Sequence, residues 1–133
     1  MAKKKQELSS EELLEQALVR EEDWPYQVPG NWVWVRLGGL IQEIKNGTTV
    51  KQNKQGLGAK VTRIETIQNN NLELGRFGFI EDMKTIKETD WYCDGDIALS
   101  HINSAAHVGK TAMITKDLLP LVHGMNLLRI RFN

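Results

Sequence analysis

Asp94-Gly95-Asp96-Ile97-Ala98-Leu99-Ser100-His101-Ile102-Asn103-Ser104-Ala105-Ala106-His107-Val108-Gly109-Lys110-Thr111-Ala112-Met113-Ile114 is the stretch from which the fold is read. Asp94-Gly95 signals a turn. Small and apolar residues then alternate through Ile97, Leu99 and Ile102, as a strand half-buried on one face requires. Lys110 to Thr115 alternates again. The segment between them, Asn103 to Gly109, is small, polar and rich in donors. Two strands joined by such a loop predict a hairpin whose tip offers hydrogen-bonding groups without bulk. A tip of that kind suits a surface that reads another molecule better than it suits a catalytic pocket.

Outward from this hairpin, the chain of 133 residues is one domain's worth, large enough to bury a modest core. Its composition is that of a soluble globular protein. No apolar run reaches the length of a membrane span, and the lysines at the start are followed by a polar helix rather than a secretory segment. The single cysteine, Cys93, excludes an internal disulfide, fits a reducing cytoplasm, and reads as a half-buried strand residue. Formal charge sums to zero, but unevenly. Residues 1–23 carry −3 and residues 36–63 carry +5, while 64–96 carry −5 and 97–133 carry +3. Such a layout can turn one basic face toward phosphates, or can be ordinary solvated surface.

Leu8-Ser9-Ser10-Glu11-Glu12-Leu13 predicts a helix start, with Ser9 capping and Glu12 reaching back to it. Leu13, Leu14, Ala17 and Leu18 share one face of that helix. Pro25 and Pro29 then impose an extended connector. Trp32 to Leu37 alternates tightly and predicts a strand whose tryptophans lie in the core. Leu40 to Ile44 is read as a turn or two of helix or as a second strand. Lys45 to Gly58 is too polar and glycine-rich for a core and reads as a long mobile loop, of a length usually kept for function. Val61 to Ile67 predicts a returning strand, Leu72 to Ile80 an irregular or bulged segment, and Glu81 to Trp91 a helix.

Catalytic readings find little support. Ser104 to Thr111 nearly spells a phosphate loop, but Ser104 stands where the first glycine belongs and the following residues read as a strand, not a helix. The spacing of His101, His107 and His123 matches no common zinc pattern, and no cysteine pair supplements them. A methyl-donor fingerprint and a catalytic carboxylate cluster are both missing. The polar loops 45–58 and 100–110 instead combine the residue types a DNA groove asks for. Lysines and amides hold phosphate, while Asn, Gln and Arg read base edges. On this reading Gln52 and Asn103 suit adenine, and Arg63 or Lys54 suits guanine. Solvated loops without a ligand would carry the same residues.

Gly95-Asp96-Ile97, Ser100-His101-Ile102-Asn103-Ser104, and His123-Gly124-Met125-Asn126-Leu127-Leu128-Arg129-Ile130 together resemble a target recognition domain. The family is the DNA specificity subunit of type I restriction-modification enzymes. Val28-Pro29-Gly30-Asn31-Trp32-Val33-Trp34-Val35-Arg36-Leu37-Gly38 independently resembles the opening of the same domain. The resemblance implies a non-catalytic reader of one half of a split duplex sequence. It implies no cofactor on this chain, methyltransferase partners that use S-adenosylmethionine, and a separate restriction subunit. The lone cysteine and the lack of an apolar span or secretory segment lead to the expectation of a cytoplasmic chain without a membrane. This sequence departs from the family pattern near Ala59-Lys60, which leaves the entry of that strand open, and at His123-Gly124-Met125-Asn126, where contacts are expected to differ.

The expected fold is α+β, a mostly antiparallel twisted sheet with a few short helices and long polar loops. Residues 1–23 are read as N-terminal helix and tail. Residues 24–133 are read as the first recognition domain, expected to be incomplete at its C-terminal end because no helical spacer follows. The expected DNA contacts are Lys45, Thr48, Thr49, Lys51, Gln52, Lys54, Arg63, Ser100, His101, Asn103, Ser104, His107, Lys110, His123 and Asn126. The competing reading is a protein-interaction module that docks through the N-terminal helix.

Overall fold

The computed structural model describes residues 7–102 and 104–133. They form two compact units, one made of the chain up to Gln42 together with Asn133, the other of Glu43–Phe132. In the first unit, α1 (Ser10–Ala17) starts as its sequence predicts. Ser9 Oγ accepts from the Glu12 amide at 3.2 Å, and Glu12 Oε2 accepts from the Ser9 amide at 2.7 Å. This reciprocal cap satisfies two of the amides that a helix start leaves open. The short α2 (Leu37–Leu40) packs so close to α1 that a Cβ on Gly39 would lie 2.7 Å from that of Ala17.

The expected strand over Trp32 to Leu37 does not form. Val35 makes one antiparallel bridge with Leu18, flanked by Val19 N–H to Trp34 O and Arg36 N–H to Ala17 O. With only this edge to pair with, the alternation buries little. Trp32 is 64% exposed and so is not a core residue, while Trp34 is half-buried and donates its indole N–H to Tyr26 O.

The second unit carries the sheet. Four strands lie in the order β1-β8-β6-β7, where β1 is Ile41–Asn46, β6 Ile97–Ser100, β7 Thr111–Met113 and β8 Leu127–Phe132. The predicted hairpin is β6 with β7, antiparallel with Leu99 opposite Thr111, and β8 pairs antiparallel on the other side of β6. Two smaller antiparallel pairs flank it, β2 (Ala59–Val61) with β5 (Gly78–Ile80) and β3 (Ile67–Gln68) with β4 (Asn71–Leu72). The architecture is a small α+β fold. Val61 to Ile67 forms no continuous strand, because a 3-10 turn at Ile64–Thr66 separates β2 from β3. Glu81 to Trp91 forms two 3-10 turns, Met83–Thr85 and Glu88–Asp90, in place of a helix.

Paired residues of an antiparallel sheet face the same side. Ala98, opposite both Ala112 and Arg129, therefore shares a face with them, and that face runs into the core of Ile67, Leu72, Phe77, Tyr92, Ile114, Leu121 and Leu127. The two alanines leave room for an unusual tenant. Arg129 is fully buried, and its Nη1 donates to Thr89 O at 2.9 Å and Trp91 O at 3.1 Å, while Nη2 reaches Glu43 Oε2 at 2.6 Å. Asp96, equally buried, lies 3.9 Å from Arg129 Nε and accepts a bidentate pair from Arg131 at 2.8 Å each. It also accepts from the Cys93 amide at 2.7 Å, which closes the turn before β6 and leaves the Cys93 side chain exposed rather than half-buried.

A buried guanidinium is tolerated while its charge is balanced and most of its donors are met, as here, where Nη1 and Nη2 are bonded and only Nε is left without a hydrogen-bond partner. Arg129→Met keeps most of the volume but leaves two carbonyls and the Asp96–Glu43 pair of charges short of a partner. It is expected to cost about 3 kcal/mol of unfolding free energy in a urea titration. A cost below about 1 kcal/mol contradicts the role given to this network.

Candidate nucleic-acid interface

The 45–58 loop is tied down along its length rather than mobile. At its start, Thr48 N–H donates to His123 O at 2.9 Å, and a Cβ on Gly47 would sit 1.8 Å from Gly124 O. Gly124 is itself pressed against Thr62, where a Cβ would meet the carbonyl oxygen at 1.8 Å, and its N–H donates to Thr62 Oγ1. Three backbone segments cross there, and only glycines admit so close an approach. Further along, Asn53 exchanges backbone hydrogen bonds with Phe79. Its side chain accepts from the Gln55 and Leu57 amides and donates to Leu57 O, so it folds the Gln52–Gly58 arc around itself.

This anchoring presents Thr49, Lys51 and Gln52 beside Arg63 and Asn126, around a depression of about 270 Å³ that Glu65 and Met125 complete. Arg63 stands on a rigid mount. Its N–H donates to Thr66 Oγ1 at 2.8 Å, the Thr66 N–H returns to Arg63 O, and Thr66 Oγ1 donates on to Arg76 O. The Arg63 guanidinium donates through Nε to Glu65 Oε1 at 2.7 Å and through Nη1 to Gln52 Oε1 at 3.3 Å. Partial burial works against the Glu65 carboxylate, yet its own backbone amide, Arg63 and Lys54 together hold its pKa below the usual value.

From this cluster a line of contacts runs to the hairpin tip. Gln68 Nε2 donates to Glu65 O at 3.1 Å, Lys110 Nζ donates to Gln68 Oε1 at 3.2 Å, and His107 Nδ1 lies 3.5 Å from the same ammonium. Gln52, Arg63, Glu65, Gln68, Lys110 and His107 thus form one continuous polar row between the two loops. Glu65 and Gln68 were not singled out from sequence. Gln68 carries no local signal, since its partner Lys110 lies far along the chain, whereas Glu65 stands two residues from Arg63 and that pairing of charges is legible locally.

The remaining expected contacts divide plainly. His101 and Lys54 are exposed, and Ser104 and Asn126 are half-buried. Lys45 is occupied, donating to Thr89 Oγ1 at 2.8 Å and Thr89 O at 3.2 Å beside the buried Asp90. Thr48, Ser100 and His123 are buried and present no side chain to a ligand. Asn103 lies outside the described residues. Among the described residues, no group of three or more His, Cys, Asp or Glu side chains could hold a metal ion. Among the same residues, no helix is long and apolar enough to cross a membrane.

The class of structure defined so far is a small sheet-based domain whose loops build a polar surface. No family model matches the chain. A direct relative exists. Over 108 residues, 80% of this chain, it is 40% identical to the protein named "Putative type I restriction enzyme MjaX specificity subunit" from Methanocaldococcus jannaschii. The chain is thus similar to part of a type I specificity subunit, as its motifs imply, and spans about a quarter of that relative's length.

His123 stands in one of those motifs yet serves the core. Its Nε2–H donates to Leu127 O at 2.7 Å, its ring lies 5.0 Å from that of Tyr92, and Nδ1 is buried without a partner. Burial, aided by the nearby Arg129 charge, pushes its pKa down from 6.5 to about 4. The neutral form is therefore favoured in the fold. Its contribution is complete above the unfolded-state value of 6.5 and is lost as pH falls toward 4, an effect of about 3 kcal/mol. An NMR titration of the His123 ring should show no protonation until pH nears 4, and an inflection near 6.5 contradicts this burial.

Proposed function

We propose that this chain reads one half of a bipartite duplex DNA sequence, as a target recognition domain of a type I restriction-modification specificity subunit. Methyl transfer from S-adenosylmethionine and strand cleavage would rest with partner subunits, and the chain itself would carry no catalysis. The polar row from Gln52 to His107 carries the reading. It joins the two loops in which the sequence concentrates lysine, amide and imidazole groups, and those are the groups that hold phosphate and read base edges. The +5 balance of residues 36–63 supplies a field that draws in the duplex. The relative's printed name is consistent with the same role.

On this proposal Lys51, Lys54 and Lys110 approach phosphate, whereas Lys45 is a structural residue. Thr49, Gln52, Arg63, His101, Ser104, His107 and Asn126 line the reading surface. A second reading, protein docking through the N-terminal helix, draws on the exposed Leu14 and Leu18. It is separated from the first by deleting residues 1–23, after which duplex binding should survive.

Duplex affinity measured against salt concentration tests the proposal. Replacing Lys51 by alanine should weaken binding to all sequences and lower the salt slope by about one unit. Lys45→Ala should leave the slope unchanged. Absence of duplex binding by the whole chain, or a slope indifferent to Lys51, overturns the proposal.

A further inference from the structure

Gln52 invites assignment as a reader of adenine, a pairing that needs its carbonyl to accept from adenine N6 and its amide to donate to N7. The geometry gives the side chain another task. Gln52 Oε1 already accepts from Arg63 Nη1 at 3.3 Å. The carboxamide is also seated against backbone at Gly78, where a Cβ would fall 2.1 Å from Oε1 and 3.0 Å from Cδ. Gly78 pairs with Val61 in the β2–β5 ladder, so this seat belongs to the sheet and not to a loop tip. Gln52 is thereby fixed as a brace for Arg63. Glu65 is the second brace, holding Nε at 2.7 Å.

A guanidinium has five N–H donors. The two braces take the N–H on Nε and one of the two on Nη1, and leave three donors, shared between the Nη1 and Nη2 arms of the fork, for another partner. That fork offers two parallel donors and no acceptor. In the major groove, guanine presents two neighbouring acceptors, O6 and N7, whereas adenine pairs N7 with the N6 donor. A donor-only fork matches the first and clashes with the second. Arg63 also sits on a mount fixed by Thr66, so little of its freedom remains to be lost on binding.

We infer that Arg63, braced by Gln52 and Glu65, is the residue that specifies a guanine in the half-site, and that Gln52 is a positioning residue and not a base reader. This rests on the duplex-reading proposal above. Glu65, though a carboxylate on a surface meant for DNA, has its role here: it aims the guanidinium and stays ionised to do so.

The experiment is selection of bound duplexes from a random pool with the whole chain, followed by affinity measurements on the selected sequence. The wild type should return a column fixed as guanine. Arg63→Ala should flatten that column alone, with a loss of guanine preference of roughly 10–100-fold, and Arg63→Lys, which lacks the planar fork, should weaken the column without shifting it. The lysine variant keeps the charge and the salt slope, which separates reading from attraction. In the selected duplex, 7-deazaguanine at that column should weaken wild-type binding about tenfold and leave Arg63→Ala binding unchanged, because it removes the N7 acceptor. Gln52→Ala should lower the guanine preference without shifting the column to another base. Unchanged melting temperatures check that the variants fold. Persistence of the guanine column in Arg63→Ala, or duplex binding without any guanine column, overturns the inference and leaves DNA reading standing. Failure of the wild type to bind any duplex removes both.

Discussion

The buried guanidinium of Arg129 is the constraint on which the second unit depends. It joins β8 to Glu43 of β1 and to the carbonyls of Thr89 and Trp91, and Asp96 at the start of β6 stands beside it. Three parts of the chain far apart in sequence are thereby fixed to one group. Asp96 is held in turn by Arg131 and by the Cys93 amide, so the turn that launches the hairpin is anchored in the core. An apolar side chain at 129 could fill the same volume. It could not satisfy carbonyls that the 3-10 turn at Glu88–Asp90 turns inward.

From that anchor the surface follows. The hairpin of β6 and β7 carries the 101–110 tip, and the crossing of Gly47, Gly124 and Thr62 fixes the start of the other loop. Between them, β3 places Gln68 within reach of both Lys110 and the Glu65 carbonyl. A row of polar side chains mounted on short strands and glycine crossings keeps its spacing better than one hung on free loops. The motifs of this chain that resemble the specificity-subunit family divide between these tasks. Asp96, Arg129, His123 and Gly124 build the platform, while Ser104 and Asn126 stand at its surface.

Sequence disclosed those parts whose partners are local. The α1 cap is a pattern within four residues, and the β6–β7 hairpin is set by its own alternation and turn. Where partners come from far away, local pattern misled. Trp32 to Leu37 alternates like a core strand, but among the described residues its pairing is one bridge, Val35 with Leu18. Glu81 to Trp91 has helical propensity, but Arg129 and Lys45 take carbonyls at Thr89 and Trp91, and Asp82 and Asp90 cap short turns instead. In β8 the buried face is Leu127 and Arg129 with half-buried Arg131, while Phe132 is exposed. No hydropathy pattern would choose that face. Among the expected contact residues, composition picked out both loops, yet it could not separate Lys51, which is exposed, from Lys45, which Thr89 and Asp90 occupy.

The central claim is that one polar surface, spanning both loops, meets the duplex. Backbone amide shifts of the isotope-labelled chain, followed while a selected duplex is added, test it most directly. The account predicts shifts concentrated in 49–54, 63–68 and 101–110, appearing together at one concentration, with Ala98, Ala112 and Leu127 little changed. Shifts confined to residues 10–37, or to one loop without the other, would contradict it.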